Sequence, residues 1–367
     1  MHTRRHFIQS SLSLTAGAAA VGIPLASFAQ ARTFDPRPGD WRTFDVTTRV
    51  DVLSPKGVTR VWLPVPSVDT EWQRSMDSRF ASNGRTEYTS DKLSGARLLY
   101  AEFDANEPTP FVELTSRVRT KNRATDWQAR TTVKEDADTL AFHTRPTALI
   151  PTDGIVLKTA REATRGARTD EEKAKAIYDW IVANTYREPK VRGCGEGDIK
   201  SMLETGNLGG KCADLNALYV GLCRAVKLPA RDYYGVRLAP SAFGYRELGG
   251  NPVSLKGAQH CRAEVYLQAR GWTAMDPADV AKVMRQETPE WIKTTQNPLV
   301  APVNKALFGG WEGNWLAWNT AHDVKLPHSQ GPKMGFVMYP IAEGADGRYD
   351  SYAPDDFKYQ ITAKEIV

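Results

Sequence analysis

The hydrophobic period of the chain changes near Pro151, and that change constrains the fold more than any other feature. From residue 41 to about 145, apolar and polar residues alternate. Phe44, Val46, Val50 and Val52, with Thr48, fall on every second position, as expected of a strand that buries one face. Val58 to Val65, Arg97 to Phe103 and Phe111 to Val118 are further β-rich runs, separated by Pro, Asn, Asp and Gly. Beyond Pro151 the spacing becomes helical. Thr169-Asp170-Glu171-Glu172 is a capping box, and Ile177, Trp180 and Ile181 follow on one helical face. Such a pattern predicts an α+β fold, with an antiparallel β domain first and a mixed region after it.

Four segments are expected along the 367 residues. Residues 1–31 read as an export signal. Thr3-Arg4-Arg5-His6-Phe7-Ile8 is a twin-arginine pattern, an apolar run from Leu12 to Leu25 follows it, and Ala29-Gln30-Ala31 offers a cleavage site. The competing reading is a membrane anchor. The run is short for a span and is interrupted by Gly17, Gly22 and Pro24, which favours cleavage and a periplasmic or secreted product. No other uninterrupted apolar stretch is long enough to cross a bilayer. Residues 32–150 are the sandwich-like β domain, 151–285 the mixed core, and 286–367 an extension with late strands that packs on the core.

Charge argues against nucleic acid. The formal charge of +5 falls to +3 once Arg4 and Arg5 leave with the signal, and the remaining basic residues are scattered.

Inside the core region, helices are expected at Ile155 to Thr164, after Thr169, and from an Asp198 cap through Leu203 to a stop near Gly206. Leu208-Gly209-Gly210-Lys211-Cys212 then leads into an amphipathic helix carrying Leu215, Leu218, Tyr219, Leu222 and Val226, ended by Pro229. Arg231 to Leu238 reads as a strand, 239–259 as a Gly/Pro-containing loop, and His260 opens the next strand. A turn at Ala269-Arg270-Gly271 leads to Trp272 to Met275, then Asp276-Pro277. Late strands are expected at Phe336–Tyr339 and Phe357–Ile361.

Cys212, His260 and Asp276 are the candidate catalytic residues. A thiol at a helix N-terminus meets unpaired N–H groups and the positive end of the dipole, which favour thiolate. The glycine pair before it permits a sharp turn and close backbone approach. His260 would take the thiol proton, and Asp276 would fix the ring's tautomer. The Cys212 N–H is the natural first oxyanion donor; no second donor is legible. If the two strands form a hairpin, an even-sum register puts His260 and Asp276 on one face, and an odd-sum register separates them.

The other cysteines are Cys194, Cys223 and Cys261. Cys223 lies eleven residues past Cys212, about 16 Å along one helix, too far for a bridge. Cys194 with Cys261 is the one pair with a case for bridging. Alternation along the strand would turn the Cys261 sulfur away from the side that His260 faces. No Cys/His spacing typical of zinc occurs, so neither metal nor cofactor is expected.

Gly209-Gly210-Lys211-Cys212-Ala213-Asp214, the strand opened by His260, and Trp272 followed by Asp276-Pro277 resemble the transglutaminase-like superfamily. Ile177-Tyr178-Asp179-Trp180 resembles the helix before its nucleophile. The likeness covers about residues 155–285. It implies a papain-like thiol enzyme with a Cys-His-Asp triad. The family often has His-Ala-Trp where this chain has His260-Cys261-Arg262. Arg262 shares a strand face with His260 and could disfavour an imidazolium or bind a carboxylate.

Other residues have plainer readings. His143 reads as structural. Asp214 favours the first helical turn wherever it occurs. Lys211 faces solvent or substrate. His322, before Asp323, is a rival base without a strand-and-Asp context. Trp311, Trp315 and Trp318 read as core. The expected function is thiol-dependent acyl chemistry on a peptide or protein substrate, with hydrolysis favoured. The alternatives are amine transfer giving cross-links, and a non-catalytic binding module.

Overall fold

The computed structural model describes residues 32–129, 134–355 and 357–367. The twin-arginine segment and its cleavage site lie outside them. No helix among the described residues is long and apolar enough to cross a membrane.

The first strands are β1 (Arg42–Asp51), β2 (Thr59–Val65), β3 (Gln73–Ser82), β4 (Arg85–Ser90), β5 (Arg97–Phe103), β6 (Phe111–Thr120) and the short β7 (Arg123–Ala124). Phe44, Val46, Thr48 and Val50 of β1 are all buried, as their alternation predicts. Alternation stops short of residue 145, because Asp136 caps a helix, α1 (Ala137–Phe142), by accepting from the Thr139 N–H. Then come α2 (Gly154–Ala163), α3 (Asp170–Asn184), β8 (Tyr186–Arg187), α4 (Ile199–Thr205), β9 (Gly209–Gly210), α5 (Cys212–Ala225) and β10 (Ala230–Arg237). They are followed by β11 (Gln259–Leu267), β12 (Gly271–Met275), α6 (Pro277–Gln286), α7 (Ala301–Ala306), β13 (Gly310–Trp311) and β14 (Trp315–Asn319). The chain ends with β15 (Ile341–Gly344), β16 (Gly347–Arg348) and β17 (Tyr359–Ile366).

Two antiparallel sheets, ordered β17-β1-β6-β3 and β16-β15-β2-β5-β4, share an apolar layer that includes Val50, Leu63, Leu99, Phe103, Val112 and Leu114. The late strands therefore join the sheets begun by the N-terminal region. The expected strand at Phe336–Tyr339 is not formed. Its residues divide between two cores: Val337 packs with Trp62 and Leu326, while Phe336, Met338 and Tyr339 join the core around the helices. The following residues, from Ile341, pair with β2 instead.

The central sheet runs β12-β11-β10-β14, and α5 lies on β10 and β11. α2, α3, α4 and α6 cover α5 from the other sides. Every residue of α5 is buried, so the helix is not amphipathic. A helix enclosed all round must pair its polar groups internally. Arg224 does so by donating from Nε to the Ala230 carbonyl at 2.8 Å. The sequence signals hold for its neighbours. Thr169 and Glu172 form the capping box of α3, and Asp198 caps α4, which ends at Gly206 with φ 69°.

The β11–β12 hairpin pairs Ala263 with Met275 and Leu267 with Gly271, the even-sum register. One step past Met275, Asp276 falls across from Arg262, two residues from His260 and on the same face. The loop between β10 and β11 packs inward through Tyr245, Leu248 and Leu255, and the Tyr245 hydroxyl donates to the Leu299 carbonyl at 2.9 Å.

Candidate active site

The approach to Cys212 is set by steric closeness. A Cβ on Gly209 would come within 2.5 Å of the Tyr186 ring, and one on Gly210 within 2.6 Å of the Asp214 Cβ. Neither glycine has positive φ, so close packing of β9 against β8 and α5 requires them. Asp214 then acts as a clamp. Its Oδ1 accepts from the N–H groups of Glu196 and Gly197 at 3.0 and 2.9 Å, and its Oδ2 from the Lys211 N–H at 2.9 Å. The loop 193–197 is thereby fixed to the first turn of α5. Gly195 within it has φ 88°, and a Cβ there would stand 1.8 Å from Asp214 Oδ2. Lys211 is half-buried.

Cys212 is 2% exposed and His260 3%. His260, Cys194 and Cys261 all lie near enough to the Cys212 thiol to act on its protonation. His260 Nε2 lies 2.7 Å from Asp276 Oδ2. That contact leaves Nδ1 as the ring nitrogen for the thiol. Asp276 also caps α6, its Oδ1 accepting from the Asp279 N–H at 3.1 Å and from Asn216 Nδ2 at 3.3 Å. Asn216 donates to the Cys261 carbonyl as well, at 2.8 Å. Trp315 Nε1 donates to the His260 carbonyl at 3.0 Å, holding the strand beneath the ring.

Further charged groups stand behind the imidazole. Asp279 Oδ2 is 3.3 Å from His260 Nε2, and Asp279 Oδ1 accepts from Arg237 Nη2 at 2.5 Å. Arg262 Nε lies 3.5 Å from Asp276 Oδ2, while its Nη1 donates to the Glu312 carbonyl at 2.8 Å. Its guanidinium packs over the Trp315 ring at 4.8 Å. Of the two readings open for Arg262, the geometry matches carboxylate binding. His260, Asp276 and Asp279 place ligand atoms within 4.8 Å of one another. Their oxygens already accept from Arg237, Asn216 and the Asp279 N–H, so the cluster reads as a hydrogen-bond network.

These charges tune the pair. Burial and Arg237 push His260 down, but Asp279 and Asp276 outweigh them and raise it from 6.5 to about 9. Burial acts to raise the Cys212 thiol, yet contacts with Cys194, Cys261 and His260 bring it well below its ordinary value. Burial and the charge on Asp279 raise Asp276. Against burial, Arg237 holds Asp279 well below the carboxylate range. The arrangement favours a thiolate–imidazolium pair over two neutral groups.

All four cysteines are free. Cys194 and Cys261 lie near enough to act on one another's protonation without being bonded. The Cys194 thiol donates to the Gln259 carbonyl at 3.3 Å. The Cys261 sulfur lies 3.9 Å from Met338 Sδ, on the strand that α5 packs against.

His322 sits elsewhere, 3.6 Å from Asp232 and 3.4 Å from the Tyr234 hydroxyl. His143 is buried against Trp272, and burial pushes it down to about 3. Trp311, Trp315 and Trp318 are core residues. The sequence reading missed Asp279, Arg237 and Asn216. The Asp276-Pro277-Ala278-Asp279 string was a signal, since two acids three apart at a proline-started helix face the same neighbour.

Residues 157–277 match the transglutaminase-like superfamily. The chain carries a transglutaminase-like domain. It also belongs to one family with an uncharacterized protein of Haemophilus influenzae, to which it is 32% identical over 95% of this chain and 99% of that one. A candidate cysteine protease from Cytophaga hutchinsonii shares the fold, at TM-score 0.51 and 18% identity over 89% of this chain and 99% of that one. The periplasmic domain of TgpA from Pseudomonas aeruginosa aligns at TM-score 0.34 and 16% identity, over 69% and 94% of the two chains. The matched transglutaminase-like segment spans α2 to the start of α6 and contains Cys212, His260 and Asp276.

Proposed function

We propose that this protein is a thiol hydrolase that cleaves a peptide or amide bond through an acyl-enzyme on Cys212. The observation that carries the reading is the 2.7 Å bond from His260 to Asp276, with the Cys212 thiol near enough for the imidazole to act on it. The Cys212 thiolate attacks the carbonyl carbon. The oxyanion forms at the N-terminus of α5, where the Cys212 N–H has no backbone partner among the described residues. The His260 imidazolium gives its proton to the leaving amine, and the thioester remains. Water then attacks, His260 accepts its proton, and the C–S bond breaks to release acid and thiolate.

Asp276 holds the ring with Nδ1 toward the sulfur. Asp279, held ionised by Arg237, supplies the negative charge that keeps the ring protonated before attack. Export by the twin-arginine signal, with a periplasmic or secreted product and a peptide or protein substrate, belongs to the same reading.

The test is turnover on a panel of peptide amides by the mature protein and by Cys212→Ala. Hydrolysis lost in the variant supports the reading. Hydrolysis unchanged in the variant overturns it. A labelled primary amine in the same assay separates hydrolysis from transfer: incorporation into a protein glutamine would replace hydrolysis with cross-linking. A thiol that reacts with no substrate and no probe would favour a binding module.

A further inference from the structure

A cavity of about 320 Å³ opens beside the thiol cluster. Leu149, Met334, Phe336, Met338, Tyr339 and Tyr352 are among its walls. Several of these reach the candidate site directly. Met338 Sδ is 3.9 Å from Cys261 Sγ. Tyr339 lies near enough to the Cys194 thiol to act on its protonation, and Cys194 in turn acts on Cys212. Glu196, on the rim, belongs to the loop that Asp214 clamps to the first turn of α5. Tyr339 and Tyr352 stand edge to face at 5.1 Å, and Tyr352 lies so close to Gly193 that a Cβ there would meet its ring at 2.4 Å. Cys212 is nearly inaccessible from outside, and Tyr339 stands between the cavity and the sulfurs.

The lining defines a chemistry. Its walls are apolar or aromatic, and two of its three charged groups are spent. Arg348 donates from Nε to Glu343 at 2.8 Å, and Asp350 pairs with Arg192 at 2.5 Å. The Glu196 carboxylate, at the exposed rim, has no ion-pair or hydrogen-bond partner among the described residues. An apolar pocket of this size takes one large side chain and penalises a charged one, which would lose its water without gaining a partner. An acid entering past Glu196 also meets a like charge.

We propose that this cavity is the specificity pocket of the thiol site, receiving a bulky apolar side chain, aromatic or branched aliphatic, next to the attacked amide. The proposal rests on the thiol-hydrolase reading and adds the substrate class to it. Tyr339 is the wall that the substrate's side chain passes or displaces to bring its carbonyl to Cys212.

The experiment labels Cys212 in the full mature protein with peptide chloromethyl ketones carrying Phe, Leu, Ala, Lys or Glu beside the electrophile. The rates are read by mass spectrometry and set against iodoacetamide as a probe without a side chain. Phe and Leu reagents are expected to react on the order of 10–100-fold faster than Ala, with Glu slowest. Leu149→Trp, which fills the cavity, should bring the Phe-to-Ala rate ratio down toward one. Glu196→Gln should raise the Glu rate relative to Ala. Equal rates for Phe and Ala, with Cys212 reactive, overturn the pocket and spare the thiol reading. No reaction of Cys212 with any reagent, iodoacetamide included, overturns the thiol reading and the pocket with it. If Leu149→Trp fails to fold, the wild-type Phe-to-Ala ratio still decides.

Discussion

Asp279 Oδ2 lies 3.3 Å from His260 Nε2, so the imidazole faces a second carboxylate besides Asp276. The two acids have divided roles. Asp276 makes the shorter bond and caps α6, whereas Asp279 is tied to Arg237 and carries the firmer negative charge. Losing Asp276 therefore leaves the ring with a remaining partner.

Asp276→Asn should lower the acyl-transfer rate by about 10²–10³, toward the low end for loss of an orienting acid. His260→Ala should cost more. Asp276→Asn combined with Asp279→Asn should lose more than the product of the single losses, because each acid substitutes in part for the other. Single-turnover rates on one substrate check this. Strict multiplicativity would show that Asp279 does not orient the ring.

The pH profile follows from the opposed shifts. Cys212 is held well below its ordinary value, and His260 is raised to about 9. The thiolate–imidazolium pair exists between those two values. Activity should be flat through neutral pH, fall as pH rises through about 9, and fall in acid as the thiolate takes a proton. Stability follows the same sign for the base. Its folded value exceeds the ordinary 6.5, so the contribution is full below about 6.5 and is lost as pH rises through about 9. Thermal melts across that window should drop, and the drop should shrink in His260→Gln.

Arg237 is fully enclosed, donating to Asp279 at 2.5 Å and to the Leu248 carbonyl at 2.9 Å. Arg237→Met strands the Asp279 carboxylate in a dry site. Breaking such a pair costs on the order of 3–5 kcal/mol. Denaturant unfolding should register that loss, and Arg237→Met with Asp279→Leu should recover much of it. No recovery would mean that Arg237 acts through the Leu248 carbonyl instead.

The fold class was legible because the period changes at one place, and β1 obeys the period of two along its length, whereas residues 98–101 of β5 are buried in a row. The caps at Thr169 and Asp198 were legible because their signals are local. What escaped was non-local. α5 is buried all round because a sheet and four helices enclose it, and no periodicity within fourteen residues reports that enclosure. The Phe336–Tyr339 run is buried throughout, divided between two cores rather than between core and solvent. At the candidate site, Cys212, His260 and Asp276 stand out by context. Arg237 and Asn216 do not, since an arginine ending a strand and an asparagine in a helix look ordinary until folding brings them to the two carboxylates that face one imidazole.

Gly195 tests the clamp on the loop beside the thiol. Its φ of 88° and the Asp214 carboxylate 1.8 Å from where a Cβ would sit leave no room for a side chain. Gly195→Ala should destabilise by about 1–3 kcal/mol or more and disturb Cys194. Asp214→Asn should weaken the same loop, because one amide cannot accept from three N–H groups as a carboxylate does. Melting temperatures of both variants measure the effect, and unchanged values would remove the clamp from the account.

The cysteine state is a separate prediction. Four alkylatable thiols are expected in the denatured mature protein under non-reducing conditions. Mass spectrometry showing only two would mean that Cys194 and Cys261 close the contact into a bond.

The most direct test of the central claim is the pH dependence of Cys212 alkylation by iodoacetamide, in the mature protein and in His260→Ala. The account predicts a rate in the native protein that stays high down to acidic pH, because Cys212 is held as a thiolate, and in the variant a profile shifted to higher pH, because Cys194 and Cys261 no longer have the imidazolium's help in holding the thiol down. Superimposable curves, both titrating near the ordinary thiol value of 9, would contradict the Cys212–His260 ion pair and the chemistry built on it.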